Sequence, residues 1–240
     1  MKTAGPLRQL AVVCLMAPAA ALHAQQSADT GWRIDGDIGA GVNATPTAAH
    51  ARGNGTTAIP YLNFDAGPLF ARIDTFGVKL APAGAGSIEL LTRVLSDGYT
   101  PASAAAGGHR RDSLPLGLGT LQVTSFGALM ANVYHDVGKS GGNLADLMYG
   151  AELPAGELTL YPQLGAEYRS SAYVRYYDGV SGHAATNPYA ALFAECHLGG
   201  SWYLNANLRR TWLDRTIRSS PLVRRATLDA NLVAVSYRFK

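Results

Sequence analysis

The sequence predicts an all-β fold, a closed antiparallel up-and-down transmembrane β-barrel of about twelve strands, with ten as the lower count. Three observations predict it. Apolar and polar residues alternate with a period of two through most of the chain. Short turns rich in Gly, Pro and Ser tend to alternate with long polar connections. An export-signal pattern precedes the first alternating run.

Residues 1–24 carry that signal. Lys2 and Arg8 supply the positive start, "LAVVCLMAPAAAL" (10–22) the apolar core, and "LHA" before Gln25 a cleavage site, although Leu22 is bulkier than the small residue usual there. Thirteen residues are too few to cross about 30 Å of hydrocarbon as a helix, so the segment is read as a cleaved signal and 25–240 as a single barrel domain. Cys14 falls inside the signal, in a context unlike a lipid-attachment site. The mature chain keeps Cys196 alone and can form no internal disulfide.

Three strands are clean. In 32–42, Trp32, Ile34, Ile38, Ala40 and Val42 oppose Arg33, Asp35 and Asp37. In 157–169, Leu158, Leu160, Leu164, Ala166 and Tyr168 oppose Glu157, Thr159, Tyr161, Gln163, Glu167 and Arg169. In 201–212, Trp202, Leu204, Ala206 and Leu208 oppose Tyr203, Asn205, Asn207 and Arg209. Noisier alternation marks 59–67, 69–80, 87–95, 114–123, 126–136, 143–153, 171–180 and 188–198 as strands. The closing run sets Val233, Val235, Tyr237 and Phe239 against Leu232, Ala234, Ser236 and Arg238. Tight turns are expected at 67–68, 154–156, 170–171 and 199–201, and long connections at 43–56, 96–113, 137–142, 181–187 and 213–225. Pro162 lies inside a clean strand and has no N–H for the ladder, so a bulge or a missing bond is expected there.

Alternation alone also suits a soluble sandwich or barrel with its apolar face inward. The export signal, strands near ten residues and the alternation of short and long connections favour the membrane form. So do aromatics near strand ends: Trp32, Trp202, Trp212, Tyr168, Tyr237 and Phe239. Charge agrees, because 15% charged residues is well below the roughly 25% of soluble domains. Closure gives the terminal strand a partner in the first. Lys240, after Phe239, departs from the aromatic ending common in such chains. Without Lys2 and Arg8 the chain has 18 basic and 17 acidic residues and no basic tract, which argues against a nucleic-acid partner.

Little in the sequence points to catalysis. "VYHDVGKS" (133–140) has Val133 where a phosphate loop needs its first glycine. "GVSGH" (179–183) places Ser181, His183 and Asp178 close together, as a lipid hydrolase would need, but lacks the nucleophile-elbow spacing. His50, His109, His135 and His197 are scattered, and no metal or cofactor is expected. Cys196 shares a face with Ala190, Leu192, Ala194 and Leu198 and reads as a small lipid-facing residue. The connection 212–226 holds Arg215, Arg218, Arg224 and Arg225, candidates for contact with an anionic partner such as lipopolysaccharide phosphates or an acidic protein patch, and Pro221, Leu222 and Val223 could fold back into the lumen. Charges of both signs on the polar faces, among them Asp65, should pair across a narrow interior, favouring a mostly closed barrel over a general porin.

Several stretches together resemble the MipA/OmpV family, also described as MltA-interacting proteins. They are Ile59-Pro60-Tyr61, "GHRRD" (108–112), "LYPQLGAEYRSSAYVRYYDGV" (160–180) with Pro162, Tyr173, Tyr176, Tyr177, Gly179 and Val180, and "SPLV" (220–223, with Pro221) followed by Tyr237 and Phe239. The resemblance implies a Gram-negative outer-membrane barrel, and the family's named member is described as a scaffold between a lytic murein transglycosylase and a bifunctional murein synthase; with no catalytic site expected from the residues, the same scaffold role is expected here. Adhesion and osmotic or antibiotic response are linked to other members, and a narrow channel for small solutes is the alternative.

Overall fold

The computed structural model describes residues 33–46, 48, 51–52, 55–101 and 108–239; the signal with Cys14, and also Trp32, His50 and Lys240, lie outside them. The strands are β1 (Ile34–Ala44), β2 (Ala51–Arg52), β3 (Thr56–Ala66), β4 (Leu69–Arg72), β5 (Thr75–Ala83), β6 (Gly86–Arg93), β7 (Thr100–Pro101) and β8 (Pro115–Thr124). They continue as β9 (Gly127–Asp136), β10 (Asn143–Gly150), β11 (Leu153–Ala155), β12 (Leu158–Arg169), β13 (Ala185–Gly199), β14 (Trp202–Trp212) and β15 (Thr227–Phe239). Two helices, α1 (Ser171–Asp178) and α2 (Arg215–Arg218), precede β13 and β15.

Twelve antiparallel staves close into a barrel. Each pairs with its neighbour along the chain, β11 continues the line of β10 along β12, and β15 returns to β1. The small β2–β7 pair lies apart from the wall. At the seam, Gly36–Ala44 pair with Asn231–Phe239, so the regular closing run of the sequence has its partner at the other end of the chain.

Side-chain exposure gives the orientation of the faces. On β15, Val233, Val235, Tyr237 and Phe239 are exposed while Leu232, Ala234 and Ser236 are buried. On β14, Trp202, Leu204, Leu208 and Trp212 are exposed, and Asn205 and Thr211 are buried. Apolar side chains therefore point outward and polar ones into the lumen, the inverse of a soluble barrel. Ten residue steps separate the outward Trp202 and Trp212 on β14. At roughly 3.4 Å per residue and a tilt near 40°, that is about 26 Å of height, the thickness of an apolar membrane band. Tyr237 packs edge-to-face on both Trp202 and Phe239 in the lower aromatic belt.

Three departures from the expected strands have local causes. The segment 69–80 is two strands, not one: a hairpin at Ile73–Asp74, with Ile73 at φ 59°, divides β4 from β5. The segment 171–180 is not a strand, and 170–171 is not a tight turn. Tyr173, Val174, Tyr177 and Asp178 bury at helical spacing, and Gly179 at φ 73° ends α1 in the left-handed conformation. Two turns of helix are too short to impose a readable period on the sequence. The segment 143–153 is interrupted at 151–152 with the register preserved on either side.

That interruption accounts for Pro162. The Ala151 N–H donates to the Pro162 carbonyl (3.1 Å), so the edge of β12 carrying the imide nitrogen faces the break, where a ladder bond is already lost. The missing bond expected from the sequence is there, and the ladder on the other edge runs through Pro162 opposite Leu192 without a shift. Pro60 follows the same rule. Ile73 N–H donates to the Leu62 carbonyl (2.7 Å), which fixes Leu62 and, two residues on, Pro60 as facing β4. β4 pairs only with Asn63–Ala66, so the β4-side edge above Leu62 has no strand neighbour among the described residues.

The parity of this edge is testable. Ala58 faces the same unpaired side as Pro60, whereas Ile59 faces the β1 ladder opposite Gly41. Ala58→Pro should change folding stability in detergent by less than about 1 kcal/mol, and Ile59→Pro should cost about 3 kcal/mol or more. Denaturant midpoints of the two variants check this; equal losses would contradict the assignment.

Candidate functional site

The lumen is filled from the short-turn end upward by side chains of alternate positions. Arg238 of β15 binds its cross-strand partner Asp37 with both Nε (2.6 Å) and Nη2 (2.7 Å), reaches Glu195 of β13, and lies over the Tyr203 ring at 3.9 Å. Beside it, Asn205 donates to Ser236 (2.8 Å), and Tyr61, fully buried, packs with Leu232, Ala234 and Phe193. On the facing wall Arg72 grips Glu89 through two 2.7 Å bonds and stacks on Phe70.

The upper lumen centres on Glu167. Its carboxylate accepts from Arg209 Nη2 (2.7 Å) and has Arg93 at 3.6 Å and Arg169 at 3.7 Å. Arg93 also meets Asp74 (2.9 Å) and Asp146 (3.6 Å); Arg169 meets Asp97 (3.9 Å); Arg209 lies over Tyr189 at 3.6 Å, whose hydroxyl donates to Asp146. A small void of about 20 Å³ is lined here by Arg93, Asp97, Tyr134, Asp146, Glu167 and Arg169. It has room for about one water. The expectation that lumen charges pair is met at Asp37, Glu167, Arg169 and Arg209. Asp65 pairs with Lys79 (3.0 Å) at the partly exposed short-turn rim, and Glu157 lies in a turn, where it binds His197.

The long-loop end is covered by α1. Tyr173 donates to Asp97, Tyr177 donates to the Arg111 carbonyl (2.9 Å), and Tyr99 donates to the Tyr177 carbonyl (2.7 Å). Arg110 Nε donates to the Tyr176 carbonyl, and the Arg111 N–H to the Tyr176 hydroxyl. On its other side, Val174 packs with Ala185, Leu213, Ile217 and Val223. Gly142 allows this seating, since a β-carbon there would stand 2.6 Å from the Tyr173 nitrogen. The lid thus joins three connections, and the family-pattern tyrosines, scattered as a strand, act together as its hydrogen-bonding face. Sequence reasoning missed Asp97, Tyr99 and Arg110 as their partners, because those contacts span more than sixty residues.

Asp178, at the end of α1, is buried with Oδ2 unpartnered among the described residues. Burial pushes its carboxyl up to about 6, with Asp97 adding to the rise and Arg169 opposing it.

The other expected site residues are placed as follows. Val223 folds inward against α1, Pro221 stays exposed, and Arg215, Arg218, Arg224 and Arg225 all point to solvent. Ser181 and His183 are exposed while Asp178 is buried, so the three present no common site. Residues 137–140 form a turn organised by Asp136, which accepts from the Leu114, Gly138 and Ser140 N–H groups. His135 binds Asn143, His109 binds Thr100, and among the described residues no three His, Cys, Asp or Glu side chains converge as a metal site. Cys196 lies on the outward face with Leu192 and Leu198.

The family model described as "MltA-interacting protein MipA" matches residues 38–239. No curated protein matches the chain.

Two outcomes follow from this geometry. Glu167→Gln leaves three buried guanidiniums short of a counter-charge and should cost about 3–5 kcal/mol in chemical denaturation. Asp229→Asn, which leaves Arg210 unpaired on the outer face near the upper margin of the wall, should cost about 1 kcal/mol or less. For Asp178, a folded value above the ordinary 3.8 means stability is greatest below that value and falls as pH rises through about 6. The loss is about 3 kcal/mol by neutral pH. Hydrogen exchange of α1 amides, corrected for intrinsic rates, should report an opening constant roughly tenfold smaller at pH 5 than at pH 7.5. Asp178→Asn should abolish the difference; a pH effect that survives the change would contradict the assignment.

Proposed function

The chain belongs to the MltA-interacting protein MipA family, and from that premise we propose that it is an outer-membrane barrel acting as a scaffold for the murein machinery, holding a lytic murein transglycosylase near a bifunctional murein synthase. The observation that carries this reading is the occluded lumen. Paired charges fill the barrel from Asp37 to Asp97, and α1 covers one mouth, so a conducting path would require the Glu167 network and the lid to separate together. A protein with a closed interior acts through its surfaces.

The topology supports a choice between those surfaces. The ends of β1 and β15 that lead to the chain termini lie at the short-turn end. An exported chain whose termini stay in the periplasm presents that end to murein enzymes. Its rim carries exposed Asp35, Asp65, Glu152 and Glu157 beside Arg33 and Lys79. The arginine connection 213–226 lies at the opposite end, so on this reading murein enzymes meet the short-turn rim, and Arg215, Arg218, Arg224 and Arg225 remain candidates for a different anionic partner.

Two measurements test the reading. The purified mature chain should be electrically silent in a planar bilayer; steady single-channel conductance would favour the narrow-channel alternative. A photo-crosslinker at Glu152 should capture murein enzymes from intact envelopes and one at Arg218 should not. The absence of any murein enzyme from both captures would remove the scaffold role.

A further inference from the structure

Two groups stand out among the arginines of this structure, beside Arg110, which donates to backbone carbonyls, and the exposed Arg33, Arg111 and Arg175. Arg72, Arg93, Arg169, Arg209 and Arg238 are partnered inside the lumen, and the outward Arg210 pairs with Asp229. Arg215, Arg218, Arg224 and Arg225 are exposed and, among the described residues, none forms an ion pair. Yet they stand on an ordered frame. Leu213, Ile217 and Val223, interleaved with them, are buried in the cluster that also holds Val174 of the lid. Asp214 caps α2 by accepting from the Thr216 N–H (2.7 Å), and Thr186 N–H also reaches it. Four exposed guanidiniums on a fixed frame, offset only in part by Asp214 near Arg218, leave a net positive charge that an anion would neutralise.

Their position selects the anion. Trp212, outward and exposed, marks the upper edge of the apolar wall, and Arg215 follows three residues later. Three residues span at most about 10 Å. The layer between hydrocarbon and water on one side of a bilayer is roughly 5–8 Å deep. The arginines therefore begin at headgroup height, above the outward Arg210–Asp229 pair, which lies one outward position below Trp212 at the upper margin of the wall. Guanidinium binds phosphate through two parallel donors, and phosphate is the dense anion of that layer. A soluble acidic protein would instead favour charges at loop tips remote from the wall.

We propose that Arg215, Arg218, Arg224 and Arg225 form a collar that binds the phosphates of phosphorylated lipid headgroups in the leaflet at the long-loop end. The proposal rests on the membrane reading above and deepens it: the collar anchors the lid connection to the bilayer surface while leaving the short-turn rim free for protein partners.

The test uses the full mature chain folded into phosphatidylcholine vesicles, with insertion scored by protease protection. Bis-phosphorylated lipid A is then titrated in, with dephosphorylated lipid A as the control and Trp fluorescence together with retained lipid as readouts. Wild type should retain the phosphorylated form at least about tenfold better than the control. The fourfold Arg→Gln variant should lose that preference, and the milder Arg224→Gln/Arg225→Gln pair should lose part of it, guarding against a folding defect in the larger variant. Equal retention of the two lipids by wild type, or an undiminished preference in inserted variants, would overturn the collar while leaving the barrel intact. Displacement of lipid A by a polyglutamate peptide bound more tightly would overturn it in favour of an acidic protein. Failure of the wild type to insert would overturn the membrane reading and the collar with it.

Discussion

Closure of the wall is the constraint on which the rest of this structure depends. β15 meets β1 over Gly36–Ala44 and Asn231–Phe239, and the meeting is reinforced from the lumen side. Inside, Arg238 binds Asp37 directly across the seam and, on its other side, Glu195 two strands away on β13. Outside, Tyr237 and Phe239 pack into the aromatic belt with Trp202. With the first and last strands joined, neither is left with an unpaired row of backbone groups, and the wall tolerates an apolar exterior. The two prolines that cannot donate sit where that accounting permits, Pro162 opposite a break and Pro60 on an edge without a strand neighbour.

Once the exterior is apolar, the interior must hold the polar residues, and twelve staves enclose too little space to hydrate them freely. Each buried charge then needs a partner at contact distance. Glu167 serves three arginines from three strands, which ties β6, β12 and β14 together across the lumen rather than along the wall. The same economy explains the aromatic rings beneath Arg209 and Arg238, which take up the faces of guanidiniums whose edges are already bonded. α1 completes the enclosure. Tyr177 donates to the Arg111 carbonyl and Tyr173 to Asp97, Tyr99 donates back to the Tyr177 carbonyl, and Val174 is buried against the 213–223 connection, so the lid is part of the packed structure and not a loop lying over it.

Much of this was legible in the sequence. A period of two is a local property, so the faces of 34–42, 158–169 and 202–212 are legible in the sequence, and the paired lumen at Asp37, Glu167, Arg169 and Arg209 follows from charges of both signs on one face. The strand total of twelve was reached with two compensating differences: 171–180 is helix, and 69–80 is two strands. Neither was readable for a physical reason. A two-turn helix has too few residues to display its period, and the Ile73–Asp74 hairpin lacks the Gly or Asn that usually marks a turn. The lid was invisible because its contacts join residues 66–78 positions apart, which no spacing rule connects. The arginines of 213–226 were visible as a group, whereas their height above Trp212 and their separation from the short-turn rim required the topology.

The account stands on the outward direction of the apolar face, and two adjacent residues of β14 measure it. Leu204 is exposed on the outer wall and Asn205 is fully buried in the lumen. Spin labels at each, in the chain reconstituted into lipid vesicles, should give opposite accessibilities: high collision with oxygen at Leu204, where the label meets acyl chains, and strong immobilisation with little oxygen access at Asn205. A label at Leu204 that is shielded by protein or reached mainly by water-soluble relaxants, with Asn205 open to lipid, would contradict the account.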